Sequence, residues 1–252
     1  MSITGERDDR PGGGPQKVGI AVTDVMTGMY AALAVTAALN HRQIYGAGQH
    51  IDMALLDSIV AFSANQILNF WVSDRVPRRW GNAHVNIAPY EVFATADGYI
   101  ILAVGNDSQF ASFCRVAGRA ELSADPRFQT NPARVANRDG LVATVGALIR
   151  GRSSADWIAA LESANVPCGP INDLRQVFED PQVRHRGMRV DMPHPLSGSV
   201  PGVASPMRFS ETPVRYDRPP PLLAQHTDAV LQELLGMTPA EVGALRESGV
   251  VG

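Results

Sequence analysis

The sequence predicts a mixed α and β (α/β) fold that contains more helix than strand, and three observations support this. Stretches rich in Ala and Leu, with capping residues at their starts, predict several helices. Two short apolar runs joined by Asp97-Gly98 predict a β-hairpin, since Asp-Gly between apolar runs is a strong hairpin signal. The 252 residues, 45% of them apolar and 19% charged, are ordinary for a globular protein with a sizeable core.

The first part of the chain is expected to form a loop followed by helices. Residues 1–17 are polar and rich in Gly and Pro, which predicts a loop. A helix should run from about Asp24 to Arg42, with Thr23 or Asp24 at its start. Gln49–Met53 is a candidate strand, and a second helix is expected from Leu55 to about Phe70.

The remainder of the chain contains the hairpin, further helices and short strands. Residues 73–89 form a polar loop that is unusually long for a connector. The hairpin strands are expected at Glu91–Thr95 and Tyr99–Val104, and short strands with Pro-rich loops follow Gly187. The expected helices are Ser108–Ala117, Pro132–Ile149, Ala155–Ala164 (capped by Ser153-Ser154), Asn172 or Asp173 to Phe178, Thr227–Leu235 and Thr238–Glu247.

Charge and cysteine content argue against several functions. The net charge is −3, and Arg78-Arg79 is the one basic run, so neither a nucleic acid nor a membrane partner is indicated. The apolar stretch Met29–Leu39 is too short to cross a bilayer. Cys114 and Cys168 lie far apart without a Cys or His cluster, which favours free thiols in a reducing cytoplasm over a structural metal site.

Asp24 is the first residue for which chemistry must be considered. It follows a short apolar run at the start of an Ala-rich helix, where unpaired backbone N–H groups and the helix dipole favour negative charge. Asp is also a common helix N-cap, and most such residues do nothing else. The spacing alone favours simple capping and does not exclude chemistry.

Seven motifs in a fixed order give this sequence a resemblance to a known family. The first is G-x-A-x-x-D-x-x-x-G, formed by Gly19, Ala21, Asp24 and Gly28. The others are Gly46–Asp52 with Leu56-Asp57, Arg79–His84, Pro89–Phe93 with Asp97-Gly98, Val104–Phe110, Val166–Asn172 and Leu222–Thr227. Together they resemble the family III (CaiB/BaiF-like, formyl-CoA and carnitine type) CoA-transferases, and within them the dicarboxylate branch that acts on succinyl-CoA and glutarate.

The resemblance implies an enzyme that moves CoA between an acyl-CoA and a carboxylic, preferably dicarboxylic, acid. Asp24 would be its nucleophile and would carry first an acyl anhydride and then a CoA thioester. A polar loop containing Gly81, Asn82, His84 and Asn86 would close over Asp24 and exclude water from the anhydride. Without the resemblance, the same loop is more simply a surface connection.

Coenzyme A, as the acyl-CoA substrate, is the only cofactor that the resemblance implies. Lys17, Arg78 and Arg79 are candidates for contacts with its phosphates, although exposed solvated charge is the simpler interpretation. The six histidines, His84 among them, are scattered without a second ligand at helical spacing, so no metal is assigned.

The resemblance also bears on organisation and partners. Family members begin with a Rossmann-like half that holds most of the CoA and is missing here, so this chain alone is expected to bind CoA poorly. Residues 1–72 would be the remainder of the large catalytic domain, residues 73–188 a small α+β domain with the active-site loop, and residues 189–252 a segment that returns to the large domain. An interlocked homodimer in the cytoplasm is expected, with no nucleic acid or membrane partner.

Two rival functions remain open from the sequence. One is an α-methylacyl-CoA racemase of the same superfamily, which would need Asp107 to replace a glutamate of that branch. The other is a non-catalytic subunit that acts only with a separate CoA-binding half.

Overall fold

Helices dominate the part of the chain described by the computed structural model, residues 1–251. Two compact units divide it, the first being Met1–Ile171 and the second beginning at Asn172. The first unit contains helices α1 (Val22–Tyr45), α2 (Leu55–Phe62), α3 (Ala64–Ser73), α4 (Asp107–Val116), α5 (Asn131–Ala136), α6 (Arg138–Ile149) and α7 (Ser154–Ser163), a 3₁₀ helix (Ala120–Ser123), and strands β1 (Tyr90–Ala94), β2 (Tyr99–Ala103) and β3 (Cys168–Pro170).

The second unit is smaller and holds a two-stranded antiparallel sheet. Its elements are α8 (Leu174–Glu179), α9 (Pro181–His185), β4 (Arg189–His194), β5 (Gly198–Val203), α10 (Thr227–Leu235) and α11 (Pro239–Glu247). The mixed α and β fold predicted from the sequence is therefore confirmed. The division into 1–72, 73–188 and 189–252 stays a prediction, because compactness within this chain does not test how the parts belong to a larger domain.

The predicted hairpin is present, and it organises the core of the first unit. Strands β1 and β2 pair antiparallel with Phe93 opposite Ile100, and β3 adds to the other edge of β2. The backbone N–H of Thr95 donates to the carbonyl of Gly98 across the Asp-Gly turn. Helices α4, α6 and α7 pack their apolar residues on this small sheet. The fully buried side chains include Phe110, Phe113, Leu141, Val145, Trp157 and Leu161.

Three helices, α7, α8 and α11, start at capping residues that the sequence indicated. Ser153 accepts a hydrogen bond from the N–H of Asp156 and caps α7. Asp173 caps α8 and Thr238 caps α11, each in a reciprocal capping box. The structure also contains α9, which the sequence analysis did not identify.

Three sequence-based boundaries are wrong. Gln49–Met53 forms no strand, because no other segment within residues 1–251 pairs with it. The helix expected from Leu55 to Phe70 is two helices, since Ala64 has a φ of 42° and the Ser63 hydroxyl bonds back to the carbonyl of Ile59. The helix expected at Pro132–Ile149 is likewise divided, at Asn137.

Helix α1 is the longest element, and none of its residues is buried within the chain. Val25, Met29 and Leu33 lie at i, i+4 and i+8 and are exposed, so they form an apolar stripe on one face. By length and composition this helix is able to cross a membrane, whereas the apolar stretch taken from the sequence was too short. The core helix of a soluble protein passes the same test, so the absence of a membrane partner stays a prediction.

Candidate functional site

Asp24 lies in the first turn of α1, in a position different from the expected one. The N-cap residue is Ala21, and no side chain caps the helix, so the prediction that Thr23 or Asp24 starts the helix is wrong. Asp24 is the third helical residue and its side chain is exposed. No hydrogen bond or ion pair to its carboxylate occurs among residues 1–251. A carboxylate that serves no cap is free to react.

Asp57 provides an internal comparison. Helix α2 also has an alanine N-cap, Ala54, and Asp57 is its third residue, exposed like Asp24. Neither Asp52 nor Asp57 caps α2, because no side chain bonds to the N–H groups at its start. Because the two acidic residues occupy equivalent positions in two helices, position in the helix does not by itself distinguish Asp24.

The loop of residues 81–86 is anchored at its start by backbone contacts. The N–H of Gly81 donates to the carbonyl of Gly5 at 2.9 Å. Gly81 has a φ of 61°, in the left-handed region that favours glycine. The side-chain oxygen of Asn82 accepts from the N–H of Val92 at 2.9 Å and ties the loop to β1.

The end of the loop is held equally firmly. The His84 ring stacks on the Tyr90 ring, with centroids 5.3 Å apart, and the backbone N–H of His84 donates to the backbone carbonyl of Tyr90. The amides of Asn86 and Asn69 donate to each other's side-chain oxygens at 3.2 and 3.4 Å. Burial lowers the pKa of His84, and the charge of Arg138 lowers it further, so the imidazole is neutral at pH 7.

Loop 81–86 is therefore held at both ends by hydrogen bonds to other segments of the first unit. Gly81, Asn82, His84 and Asn86 all lie on this loop, and their role at an active site stays a prediction. Within the described residues, no hydrogen bond or ion pair connects any of them to Asp24. Closure of the loop over Asp24 therefore stays a prediction.

Two buried arginines support this loop, and the sequence analysis missed both. Arg134 is fully buried and donates to the carbonyls of Ala88 and Phe128 at 2.7 and 2.9 Å, and to Asp107 at 2.7 Å. Arg138, only 5% exposed, donates from Nη2 to the carbonyl of Val85 at 3.1 Å. In the sequence, the spacing of four residues between Arg134 and Arg138, across the α5–α6 boundary, was the one sign that they could act together, because it points two polar side chains in similar directions.

The three basic residues proposed for CoA contacts are differently placed. Lys17 and Arg78 are exposed, and the Arg78 guanidinium lies 5.9 Å from the centre of the Trp80 ring. Arg79 is already engaged by Asp8 and by the carbonyl of Ser2. Lys17 and Arg78 therefore keep their charge available to a ligand, whereas Arg79 would have to exchange its partner.

Two further expectations concern Asp107 and metals. Asp107 forms the ion pair with Arg134, which commits it to a structural role and weakens the racemase alternative. No group of three or more His, Cys, Asp or Glu side chains among the described residues is arranged to hold a metal ion. The thiols Cys114 and Cys168 are free.

Comparisons with known proteins agree with the fold. A crystal structure of a CaiB/BaiF family protein from Brucella suis superposes with a TM-score of 0.76 at 44% identity, over 93% of this chain and 60% of that chain. The sequence profile of CoA-transferase family III matches residues 1–227. The chain belongs to CoA-transferase family III.

Two of the similar curated proteins are named as CoA-transferases for succinate or succinyl-CoA and glutarate. The succinate–glutarate CoA-transferase of Agrobacterium fabrum is 48% identical over 93% of this chain and 58% of its own length. The human succinyl-CoA:glutarate CoA-transferase is 39% identical over the whole of this chain and 56% of its own length. This chain therefore spans little more than half the length of the curated relatives that it matches.

Proposed function

We propose that this chain carries the catalytic aspartate of a CoA-transferase that moves CoA between an acyl-CoA and a carboxylic acid. The family assignment supports transfer of CoA, and the names of the relatives support succinyl-CoA and glutarate, or similar dicarboxylic acids, as substrates. The observation that carries the proposal is the position of Asp24 in the motif Gly19, Ala21, Asp24 and Gly28, where its carboxylate is exposed in the first turn of α1.

The proposed reaction proceeds by four exchanges at one carboxylate. An Asp24 oxygen attacks the thioester carbonyl, the C–S bond breaks, and CoA thiolate leaves an aspartyl-acyl anhydride. The thiolate then attacks the aspartyl carbonyl, which releases the donor acid and forms an aspartyl-CoA thioester. The acceptor carboxylate then attacks this thioester, which releases CoA thiolate and forms a second anhydride. The thiolate attacks the acceptor-derived carbonyl of that anhydride, which gives the new acyl-CoA and frees Asp24.

A carboxylate suits this sequence better than a hydroxyl or thiol. Each intermediate keeps the energy of the original thioester, so every step is close to isoenergetic and reversible. Splitting one transfer into such steps is what covalent catalysis contributes. An anhydride is easily hydrolysed, so water must be excluded around Asp24, and closure of loop 81–86 over Asp24 is our candidate for that role.

Transfer of CoA from succinyl-CoA to glutarate, followed by chromatography of glutaryl-CoA, tests the proposal. We expect weak transfer by the chain, because CoA binding by this part alone is expected to be poor. Asp24→Asn should reduce the rate roughly a thousandfold or more, since the nucleophile is lost. The matched control Asp57→Asn changes the equivalent carboxylate of α2 and should leave the rate unchanged.

Equal loss in the two variants would refute the role of Asp24. Complete absence of transfer by the unmodified chain, with transfer restored only when a separate CoA-binding polypeptide is added, would favour the subunit alternative. Isothermal titration with CoA tests the expectation of poor binding, which micromolar affinity would contradict.

Assembly and location are parts of the same proposal. The exposed apolar stripe of α1 supports a homodimer, because large apolar surfaces are normally covered. The free thiols support a reducing compartment, the cytoplasm. Sedimentation of the chain at several concentrations tests the first point.

A further inference from the structure

A cavity of about 310 Å³ lies beside the loop, between its first residues, strand β1 and the start of α6. It is separate from the carboxylate of Asp24, which does not line it. The lining residues relevant to binding are Arg10, Trp80, Asn82, Glu91, Arg138 and Val142.

Arg138 is the unusual residue of this cavity. Its side chain is buried and lies 5.0 Å from the centre of the Trp80 ring. Only Nη2 has a hydrogen-bond acceptor, the carbonyl of Val85, while Nε and Nη1 are buried without any partner. Leaving donors of a charged group unsatisfied in the interior is costly, so an acceptor is expected at these atoms.

The carboxylates nearby do not supply that acceptor. Asp139, the next residue, binds Arg7 at 2.7 Å and Arg10 at 3.5 Å. Asp9 also pairs with Arg7. Arg138 therefore forms no ion pair within residues 1–251, although it is the most deeply buried cation of the cavity.

Glu91 faces the same cavity and also has an unsatisfied atom. Its Oε1 is buried without a partner. Burial raises the pKa of Glu91, an effect that the charge of Arg138 only partly offsets. The cavity therefore presents unsatisfied polar atoms on both Arg138 and Glu91.

We infer that this cavity binds the carboxylate group of a small organic acid through the unsatisfied Nε and Nη1 donors of Arg138. Val142 adds an apolar side chain to the lining, whereas the Trp80 ring already lies beside the guanidinium groups of Arg7, Arg78 and Arg138. Arg10, half exposed and held only by the 3.5 Å contact, offers a cation to a second carboxylate. The choice of glutarate as the acid to test rests on the proposed function, whereas binding of a carboxylate at Arg138 does not.

A guanidinium also binds phosphate, and charge decides between the two anions. A phosphate carries nearly two charges and would lie close to the carboxyl groups of Glu6, Glu91 and Asp139, which line the same cavity. A carboxylate carries one charge and loses less to that repulsion. The site therefore favours a carboxylate.

Titration of the chain with glutarate, without CoA, tests the inference by NMR of the tryptophan indole N–H signals. The Trp80 signal should shift, whereas that of Trp157, whose indole donates to the Ile149 carbonyl in the core, should not. Arg138→Met should weaken glutarate binding at least tenfold. Arg138→Lys should do the same, because lysine keeps the charge but lacks the Nε and Nη1 donors.

Two controls make the result specific. Arg127 lies 5.0 Å from the Phe128 ring, the distance that separates Arg138 from Trp80, but it is exposed and paired with Asp125, so Arg127→Met should bind glutarate normally. Asp24→Asn should also bind normally while losing transfer, which separates this inference from the proposed function. Circular dichroism verifies that each variant is folded.

Three outcomes would overturn the inference: no shift of the Trp80 signal at millimolar glutarate, unchanged affinity in both Arg138 variants, or displacement of glutarate by inorganic phosphate at a lower concentration than glutarate itself requires. If transfer fails but glutarate binds in an Arg138-dependent way, the cavity is a carboxylate site and only the proposed function is refuted.

Discussion

Replacement of Arg134 by methionine tests how the segment that follows loop 81–86 is held, since Arg134 donates to the carbonyl of Ala88. The guanidinium is fully buried and satisfies the carbonyls of Ala88 and Phe128 as well as Asp107. Asp107 is more than half exposed and regains water when Arg134 is removed, but the two carbonyls do not. Each buried acceptor left unsatisfied costs about 1–3 kcal/mol, and the desolvation of Arg134 that is relieved offsets part of this.

We therefore expect Arg134→Met to lower the free energy of unfolding of the first unit by about 2–4 kcal/mol. That is a large part of the ~5–15 kcal/mol typical of a domain. Urea unfolding followed by tryptophan fluorescence measures it, since Trp71, Trp80 and Trp157 all lie in this unit.

Arg150→Met is the matched control, because Arg150 is exposed at the end of α6 and its side chain makes no hydrogen bond or ion pair among the described residues. Its effect should stay within about 0.5 kcal/mol. A loss below about 1 kcal/mol in Arg134→Met would show that a hydrophobic side chain replaces the buried cation without penalty, and would refute this reasoning.

Three other predictions concern separate parts of the chain. Because burial raises the pKa of Glu91, the free energy of unfolding should fall as the pH rises from about 4 through that pKa. Glu91→Gln should therefore become more stable relative to the unmodified chain between pH 4 and pH 7. Urea unfolding measures this, and the same stability difference between the two proteins at both pH values would contradict it. Burial raises the pKa of Cys114 to about 11, so a thiol reagent at pH 8 should label the partly exposed Cys168 first, and equal rates would refute the burial of Cys114. Thr238→Ala removes the capping box of α11 and should cost about 1 kcal/mol, seen as faster hydrogen exchange in α11, whereas unchanged exchange would show that the cap contributes nothing.

Local chemistry accounts for the elements that could be predicted from the sequence. Ser153, Asp173 and Thr238 start helices because their side chains satisfy N–H groups two or three residues on, and this requires no distant partner. The Asp97-Gly98 turn fixes the hairpin for the same reason. The family resemblance then supplied the functional assignment, which local chemistry did not.

The features that escaped prediction depend on distant contacts. Gln49–Met53 has strand-like composition but no pairing partner, which no local pattern reveals. In the sequence, Arg134 and Arg138 occupy ordinary polar positions of a predicted helix. Only the fold shows that both are buried and that they donate to the carbonyls of Ala88 and Val85, respectively. The cavity around Trp80 brings together Glu6, Glu91 and Arg138 from three distant segments, so no local pattern in the sequence reveals it.

The central claim is that Asp24 carries the activated acyl group or CoA. Peptide mass spectrometry after incubation with succinyl-CoA and trapping with borohydride tests it most directly, because borohydride reduces an acyl-activated aspartate to homoserine and leaves a free aspartate unchanged. We predict homoserine at position 24 only when succinyl-CoA is present, none at position 57, and no labelling in Asp24→Ala. Consumption of succinyl-CoA without reduction at position 24, or reduction at another aspartate, would contradict the account.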